Sequence, residues 1–213
     1  AWRGGELGGG YCSPMLDAVR GVPQVVMASN AGLEGFVAET GDRLWAYKWK
    51  SEKYPRSVQP FVYNQECVML AATTGTGTRL VRVKEQDSEW TAEERWTCEK
   101  CRPYFNNGVF HEGHYYGYDG ERLACLEVET GKRLWTGEPF SGQLLLIADM
   151  DMLLVLSEIG EVAFVPAVPG GFRVIARFQA IGGKTWNHPI IAHGRLFVRN
   201  AEEAACFELA VEG

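Results

Sequence analysis

The sequence predicts an all-β protein, a β-propeller with four-stranded antiparallel blades, of which about four are complete and a fifth is partial. Three observations support this fold class. Residues 39–45 (Glu-Thr-Gly-Asp-Arg-Leu-Trp) nearly repeat residues 129–135 (Glu-Thr-Gly-Lys-Arg-Leu-Trp), which indicates an internal repeat. Turn signals recur about every 8–12 residues, too often for long helices. The resulting units of about 36–49 residues, with four short strands each, have the period of propeller blades.

The clearest unit lies at residues 106–140. An aromatic strand from Tyr115 to Tyr118 is followed by Asp119-Gly120, a strong hairpin signal because Gly tolerates positive φ. The next strand runs from Leu123 to Val128, and a Thr-Gly turn leads to a last strand that ends on Trp135. The same pattern along the chain predicts blades at about 13–50, 59–100, 106–140, 142–181 and 188–213.

Tryptophans mark the last strands of these blades. Trp45, Trp96 and Trp135 close the first three units, and Phe178 takes the aromatic position in the fourth. We expect Trp45 and Trp135 to be buried between neighbouring blades, because a single four-stranded sheet cannot bury both of its faces. Trp2 resembles the end of a last strand whose other strands are missing. Residues 1–213 are therefore interpreted as a single domain that is the C-terminal part of a longer propeller, and self-association is expected if the ring is incomplete.

Composition excludes some classes of function. The 213 residues are 46% hydrophobic, which suffices for a core, and the net charge of −6 includes no long basic stripe for nucleic-acid phosphates. No apolar run reaches the roughly 18 residues needed to span a bilayer. We expect neither a nucleic-acid partner nor a membrane span.

Cys98 and Cys101, followed by His111 and His114, have the spacing of a zinc site. On a propeller, however, the cysteines follow an outermost strand, and the histidines flank a hairpin turn at the opposite face, roughly 15 Å away. We therefore predict no metal site, with Cys98 and Cys101 as weak candidates for one. The two cysteines are predicted to form a local disulfide or a surface thiol pair.

The first hairpin turns of two blades carry titratable residues. His111 and His114 are predicted to be solvent-facing turn residues, with a surface metal as the alternative. Asp149 and Asp151 lie at the equivalent turn of the next blade and are predicted to be solvated. No nucleophile motif and no phosphate-binding loop accompanies them.

Residues 123–135 (Leu-Ala-Cys-Leu-Glu-Val-Glu-Thr-Gly-Lys-Arg-Leu-Trp) resemble the repeat of the pyrroloquinoline-quinone-like (PQQ-like) β-propellers, and residues 33–45 match it too. The unit that ends at Trp96 matches only at that Trp, and the fourth unit has Pro169-Gly170-Gly171 in place of Thr-Gly-Lys. Residues 183–189 and 199–206 are similar to the C-terminal part of many uncharacterised bacterial members. The resemblance implies seven or eight blades in the whole protein and a periplasmic or secreted location.

The resemblance allows two kinds of function. One is a non-enzymatic binding or assembly scaffold for protein or peptide partners, as in propellers that serve envelope protein assembly. The other is a PQQ-dependent oxidoreductase of the quinoprotein type, or its catalytically inactive remnant. Those enzymes add a calcium or lanthanide ion, a catalytic Asp and an adjacent Cys-Cys disulfide, and no Cys-Cys occurs in this sequence. We expect the scaffold, with no catalytic residues and no cofactor, and PQQ with Ca²⁺ as the alternative.

Propellers bind ligands with the loops at the ends of their innermost strands. By register, eight aromatic, amide and small polar residues are predicted to cluster there on one face. They are Tyr11, Ser13, Tyr104, Asn106, Asn107, Trp186, Asn187 and His188. Aromatic and amide groups on a rigid rim suit peptide or sugar recognition. The alternative interpretation is that these residues fill the junctions between blades.

Overall fold

The computed structural model describes residues 1–51, 56–72 and 76–209, and these form nineteen strands in five antiparallel sheets. Residues 73–75 of the predicted second blade and residues 210–213 of the fifth lie outside the described residues. The chain divides into two compact units, Ala1–Phe105 and Asn106–Gly213, each described by itself below. No helix among the described residues is long and apolar enough to cross a membrane.

The first unit contains sheets A and B, in which neighbouring strands are consecutive in the chain. Sheet A consists of β1 Met15–Val19, β2 Val22–Ser29, β3 Gly32–Val37 and β4 Arg43–Lys48. Sheet B consists of β5 Phe61–Tyr63, β6 Cys67–Ala72, β7 Gly77–Gln86 and β8 Glu89–Cys98. Each sheet has the four antiparallel strands that the sequence predicts.

The second unit contains sheets C, D and E. Sheet C consists of β9 Val109–His111, β10 His114–Asp119, β11 Arg122–Glu127 and β12 Arg133–Pro139. Sheet D consists of β13 Gly142–Ile147, β14 Met152–Ser157, β15 Glu161–Pro166 and β16 Ala176–Gln179, with a short 3-10 helix, Ala148–Met150, between its first two strands. Sheet E has three strands, β17 Ile190–Ala192, β18 Arg195–Arg199 and β19 Ala204–Glu208. Four sheets of four strands and one of three agree with the predicted complete and partial blades.

Within each unit the sheets stack face to face. In the first unit, Val26 and Trp45 of sheet A share a core with Val68 and Leu70 of sheet B. In the second unit, one core joins sheets C and D, and another joins sheets D and E. Alternate residues along a strand point to opposite faces, so the central strands of sheet D supply apolar side chains to both cores.

A β-bulge precedes the tryptophan in three of the sheets. Trp45 lies opposite Gly35, Trp96 opposite Leu80 and Trp135 opposite Cys125, and in each case the residue just before the tryptophan is the extra one. A bulge inserts one unpaired residue and bends the strand. Sheet B therefore shares this feature with sheets A and C, although its sequence matches the repeat only at Trp96. Sheet D differs, since Phe178 pairs with Val162 in an unbroken ladder.

Trp2 and Trp135 make the same type of contact. The Trp135 indole donates a hydrogen bond to the Val168 carbonyl, 3.0 Å away, in the segment after the third strand of sheet D. The Trp2 indole donates to the Ala38 carbonyl, also at 3.0 Å, just after the third strand of sheet A, and its ring stacks on Phe36. Trp2 therefore contacts sheet A in the same way that Trp135, the last-strand tryptophan of sheet C, contacts sheet D. This agrees with the resemblance of Trp2 to the end of a last strand.

Candidate functional site

The most exposed apolar surface of a sheet in the second unit is one face of sheet E. Ile190, Phe197 and Cys206 are directly opposite one another on its three strands and so form a row across the sheet. Ile190 is 60% exposed and Phe197 is 41% exposed, and Cys206 is exposed as well. The opposite face, with Leu196 and Val198, is buried against sheet D. We call the row and the loop of residues 182–188 that leads to it the sheet E surface.

Trp186 stands in that loop with 58% of its surface exposed. The Lys184 ammonium lies 4.5 Å from the centre of its ring, which is a cation–π contact. Between these two, Thr185 is buried: its amide donates to the Glu158 carbonyl and its hydroxyl donates to the Arg199 carbonyl, at 2.9 and 2.6 Å. One buried threonine therefore anchors the loop to sheet D and to β18, and holds the aromatic ring at the surface.

Asn200 fixes the other side of the loop. Its side-chain amide donates to the Gly182 carbonyl at 2.5 Å, and its side-chain oxygen accepts from the backbone amides of Glu202 and Glu203 at 2.8 Å each. Two cavities adjoin this frame, each of roughly 450 Å³. One is bordered by Trp186 and Asn200, and the other by His188, Ile190 and Phe197. Asn187 and Arg199 border both cavities.

The edge of β19 also carries backbone hydrogen-bonding groups. The Leu209 amide donates to Gly194, and the Asn200 amide donates to Glu203, which sets the register of the β18–β19 ladder. In an antiparallel pair, residues that exchange hydrogen bonds alternate with residues that do not. The backbone groups of Ala204, Cys206 and Glu208 therefore point away from β18. Within the described residues sheet E has no fourth strand beside them.

The predicted rim residues of the second unit fall into two sets. Trp186, Asn187 and His188 lie together on the sheet E surface, and partial desolvation lowers the pKa of the His188 imidazole. Asn106 is different, because it is buried and its amide donates to the Gly142 carbonyl at 2.5 Å. The burial of Asn106 and its bond to Gly142 agree with the alternative interpretation, in which such a residue fills the junction between sheets C and D. Asn107, beside it, is partly buried.

The predicted rim residues of the first unit are joined by the segment of residues 56–59. The Arg56 carbonyl accepts from the Tyr11 amide at 2.8 Å, and the Ser57 hydroxyl donates to the Tyr104 carbonyl at 2.8 Å. The Gln59 side chain donates to the Ser13 carbonyl at 2.7 Å. Tyr11, Ser13 and Tyr104 are exposed, so this unit presents its own small group of rim residues.

The buried Arg56 side chain holds the segment of residues 56–59 in place. Its guanidinium is buried on the Trp49 ring, 5.1 Å from the ring centre, and donates to the Trp49 carbonyl at 2.7 Å. Arg79 lies over the same ring at 4.1 Å. Desolvation lowers the pKa of Arg56 to about 10, and the neighbouring Arg79 charge acts in the same direction. The segment is therefore held by aromatic stacking as well as by backbone hydrogen bonds.

Cys98 and Cys101 are both buried. Cys98 ends β8, and the Cys101 carbonyl accepts a hydrogen bond of 2.8 Å from the Thr78 hydroxyl. The interpretation as a surface thiol pair is therefore wrong, and the local disulfide stays a prediction.

Sequence reasoning missed Ile190, Phe197 and Cys206. The alternation in Arg195-Leu-Phe-Val-Arg199 predicts a strand with two different faces, and it is the stacking on sheet D that decides which face is exposed. An alignment of residues 123–128 with residues 204–209 could have identified one of these residues, Cys206, from the sequence. It places Cys206 at the position of Cys125, which in sheet C lies opposite Trp135.

Stacked antiparallel sheets of four strands, with a last-strand tryptophan directed at the next sheet, define the class of the β-propellers. A family model described as outer membrane protein assembly factor BamB matches residues 8–165, about three quarters of the chain. The chain belongs to this family of PQQ-like propellers. No curated protein matches it significantly.

Solved structures share the fold at low sequence identity. The computationally designed Ika8 protein superposes with a TM-score of 0.62 at 9% identity, over 91% of this chain and 57% of the designed one. BamB from Moraxella catarrhalis gives 0.53 at 14% identity, over 86% of this chain and 68% of its own. A chain of the mitotic checkpoint complex gives 0.50 at 9% identity, over 91% and 73%. This chain thus spans little more than half the length of the designed protein.

Proposed function

We propose that this chain is a non-enzymatic scaffold that binds protein or peptide partners through the sheet E surface. The observation that carries the proposal is the exposed row of Ile190, Phe197 and Cys206 beside Trp186. Contiguous exposed apolar surface with a polar rim is typical of protein interaction sites. Aromatic and arginine side chains supply most of the binding energy at such sites.

The loop of the sheet E surface is also ordered before binding. The hydrogen bonds of Thr185 and Asn200 hold the loop in place before any partner arrives, so little conformational entropy is lost on association. A peptide in extended conformation has a second means of attachment. It can pair with the outward backbone groups of β19 while its side chains contact Phe197 and Cys206.

Family membership supports the class of partner. The matching family is described as an outer membrane protein assembly factor, and BamB of Moraxella catarrhalis shares the fold. By extension, we expect protein partners that are components or clients of assembly at the cell envelope. A periplasmic location follows from the same reasoning. In this proposal the binding surface works without PQQ or Ca²⁺.

A display library of random peptides tests the proposal, because the partner does not have to be known. Peptides selected on the wild-type chain should bind at least about tenfold more weakly to Trp186→Ala and Phe197→Ala, since truncating an interface anchor typically costs more than 1 kcal/mol. Leu16→Ala is the matched control. Leu16 is an equally exposed apolar strand residue in the first unit, and its loss should leave binding unchanged.

Two outcomes would contradict the proposal. In one, no peptide is selected, or the selected peptides bind both sheet E variants as well as the wild type. In the other, the chain binds PQQ stoichiometrically in the presence of Ca²⁺, which would favour the quinoprotein class. Peptide binding and PQQ titration are measured on the same folded preparation, so a folding defect cannot account for either result.

A further inference from the structure

A group of possible metal ligands lies away from the sheet E surface, where sheet C meets the first turn of sheet D. His111 ends β9, Glu112 begins the following hairpin turn, and Asp151 follows the 3-10 helix of sheet D. The imidazole Nε2 of His111 is 2.6 Å from Oδ1 of Asp151. One ligand atom from each of the three residues lies within 4.8 Å of the other two.

The fold positions this cluster through paired strands. His111 and His114 are directly opposite in the β9–β10 ladder, so their side chains share a face of sheet C. Tyr116, two residues further along β10, is on that face and belongs to the core between sheets C and D. His111 is therefore held against sheet D, with only 12% of its side chain exposed, and it meets Asp151 there.

The charges of the cluster are not balanced by basic residues. Within the described part of the chain, neither Glu112 nor Asp151 forms an ion pair with a lysine or an arginine. Two carboxylates thus converge on one imidazole, and a cation between them would be favoured electrostatically. The other acidic turn residue nearby, Asp149, belongs to the 3-10 helix and is not a member of the cluster.

A buried polar atom next to the cluster gives a second, independent indication. The Nδ1 atom of His114 is buried and makes no hydrogen bond with the described residues, whereas the hydroxyl of the fully buried Tyr116 interacts with the Cys125 thiol. The two rings are 6.4 Å apart. Burial raises the pKa of the Tyr116 phenol, and the Cys125 thiol and then the charges of Glu112 and Asp151 add to that effect. Next to the carboxylates there is therefore a buried imidazole nitrogen without a hydrogen-bond partner among the described residues.

We infer that His111, Glu112 and Asp151 bind one divalent transition-metal cation of the zinc type. Zinc takes imidazole nitrogen and carboxylate oxygen at about 2.0–2.2 Å, and an imidazole ligand favours zinc over calcium or magnesium. Ligand atoms of one such ion lie roughly 3.3–3.6 Å apart, as follows from those bond lengths in a tetrahedron. For this geometry the His111–Asp151 pair must open from 2.6 Å and the Glu112 carboxylate must move inward.

Such an ion would join sheet C to sheet D. It also differs from the zinc site that the Cys98, Cys101, His111 and His114 spacing suggests, because the ligand cluster found in the described residues pairs His111 with carboxylates and includes neither cysteine. Asp151 is exposed, as the prediction of a solvated turn residue requires, and it also contacts His111.

Calorimetric titration of the untagged, chelator-treated chain with Zn²⁺ tests this inference. We expect one ion per chain, a higher melting temperature with the ion, and binding at least about tenfold weaker in Glu112→Gln and in His111→Ala. His193→Ala is the matched control. His193 occupies the first hairpin turn of sheet E, where it has a positive φ like that of Glu112, and it is not part of the cluster, so its loss should leave the Zn²⁺ affinity unchanged.

The variants also distinguish the proposed site from a zinc site that uses Cys98 and Cys101. Glu112 is exposed, so Glu112→Gln should fold normally even if His111→Ala does not. A Cys98→Ser, Cys101→Ser double variant should keep its affinity for Zn²⁺. The inference is overturned if Zn²⁺ does not bind below about 1 mM, if Glu112→Gln binds as tightly as the wild type, or if only the cysteine variant loses the ion.

Discussion

Sheets A and C contain the two closest copies of the sequence repeat, yet their tryptophans make different contacts. The turns are alike: Gly41 and Gly131 both have positive φ and donate their amides to the carbonyl four residues earlier. The bulge before the tryptophan is also the same in both sheets. The Trp45 indole, however, donates to Gln24 within its own sheet at 2.8 Å, whereas the Trp135 indole donates to Val168 of sheet D.

The residue opposite each tryptophan explains the difference. Trp45 faces Gly35, and a Cβ at that position would fall inside the van der Waals radius of the indole. The ring therefore lies close on its own sheet, within reach of Gln24. Trp135 faces Cys125, whose side chain occupies the space that glycine leaves free in sheet A, and its ring contacts Tyr116 of its own sheet. The Trp135 ring also contacts Phe172, and its indole donates to the Val168 carbonyl.

Sheets A and C also differ at a second position, in addition to Gly35 and Cys125. Gln24 of β2 and His114 of β10 occupy corresponding positions, because each lies two residues before the residue that pairs with Gly35 or Cys125. In sheet A this position supplies the partner of the indole. In sheet C it supplies a histidine next to the proposed metal site. The repeat motif thus determines turn, bulge and tryptophan, while residues outside the motif determine what each blade contacts.

Replacement of Gly35 in sheet A by cysteine, the residue that faces Trp135 in sheet C, should have the largest effect on stability. In Gly35→Cys the new side chain must displace the buried Trp45 ring, and overpacking of this kind typically costs up to about 3 kcal/mol of unfolding free energy. Urea denaturation measures the change. Gly170→Ala is the control, since a Cβ there meets nothing within 4 Å. Equal stability of the two variants would contradict the explanation.

Replacing each tryptophan with phenylalanine should separate the two indole contacts. Trp45→Phe leaves the Gln24 oxygen without its donor inside the core, where Gln24 is fully buried, and should cost about 2 kcal/mol. Trp135→Phe frees the carbonyl of the partly exposed Val168, which water can reach, and should cost less than about 1 kcal/mol beyond the loss of ring area. Comparable losses in the two variants would show that the tryptophans are equivalent after all.

The threonines of the two turns should give the smallest and most similar effects. The Thr40 hydroxyl accepts from the Asp42 amide at 3.3 Å, and the Thr130 hydroxyl accepts from the Lys132 amide at 3.2 Å, both at the surface. Thr40→Ala and Thr130→Ala should each cost about 0.5 kcal/mol, at the low end for a hydrogen bond. A loss above 2 kcal/mol in only one of them would mean that the turns are not equivalent.

The sequence predicted the parts of the molecule that depend on local signals. Glycine turns, alternating strands and last-strand tryptophans are encoded within a few residues, so five sheets could be placed in advance. Contacts between sheets are not encoded in this way. The approach of Asp151 to His111 follows from the stacking of sheets C and D, and so does the burial of Asn106. The exposed face of sheet E depends on which of two alternating faces meets sheet D.

Protection of Cys206 tests the central claim of partner binding at sheet E most directly. Thiolates are the reactive species, and burial raises the pKa of Cys125 to about 12 and that of Cys12 to about 11. At pH 8 the exposed Cys206 should therefore be alkylated first. Addition of a saturating selected peptide should slow its alkylation at least about tenfold, as followed by mass spectrometry. Unchanged labelling of Cys206 in the bound state would contradict binding at this surface.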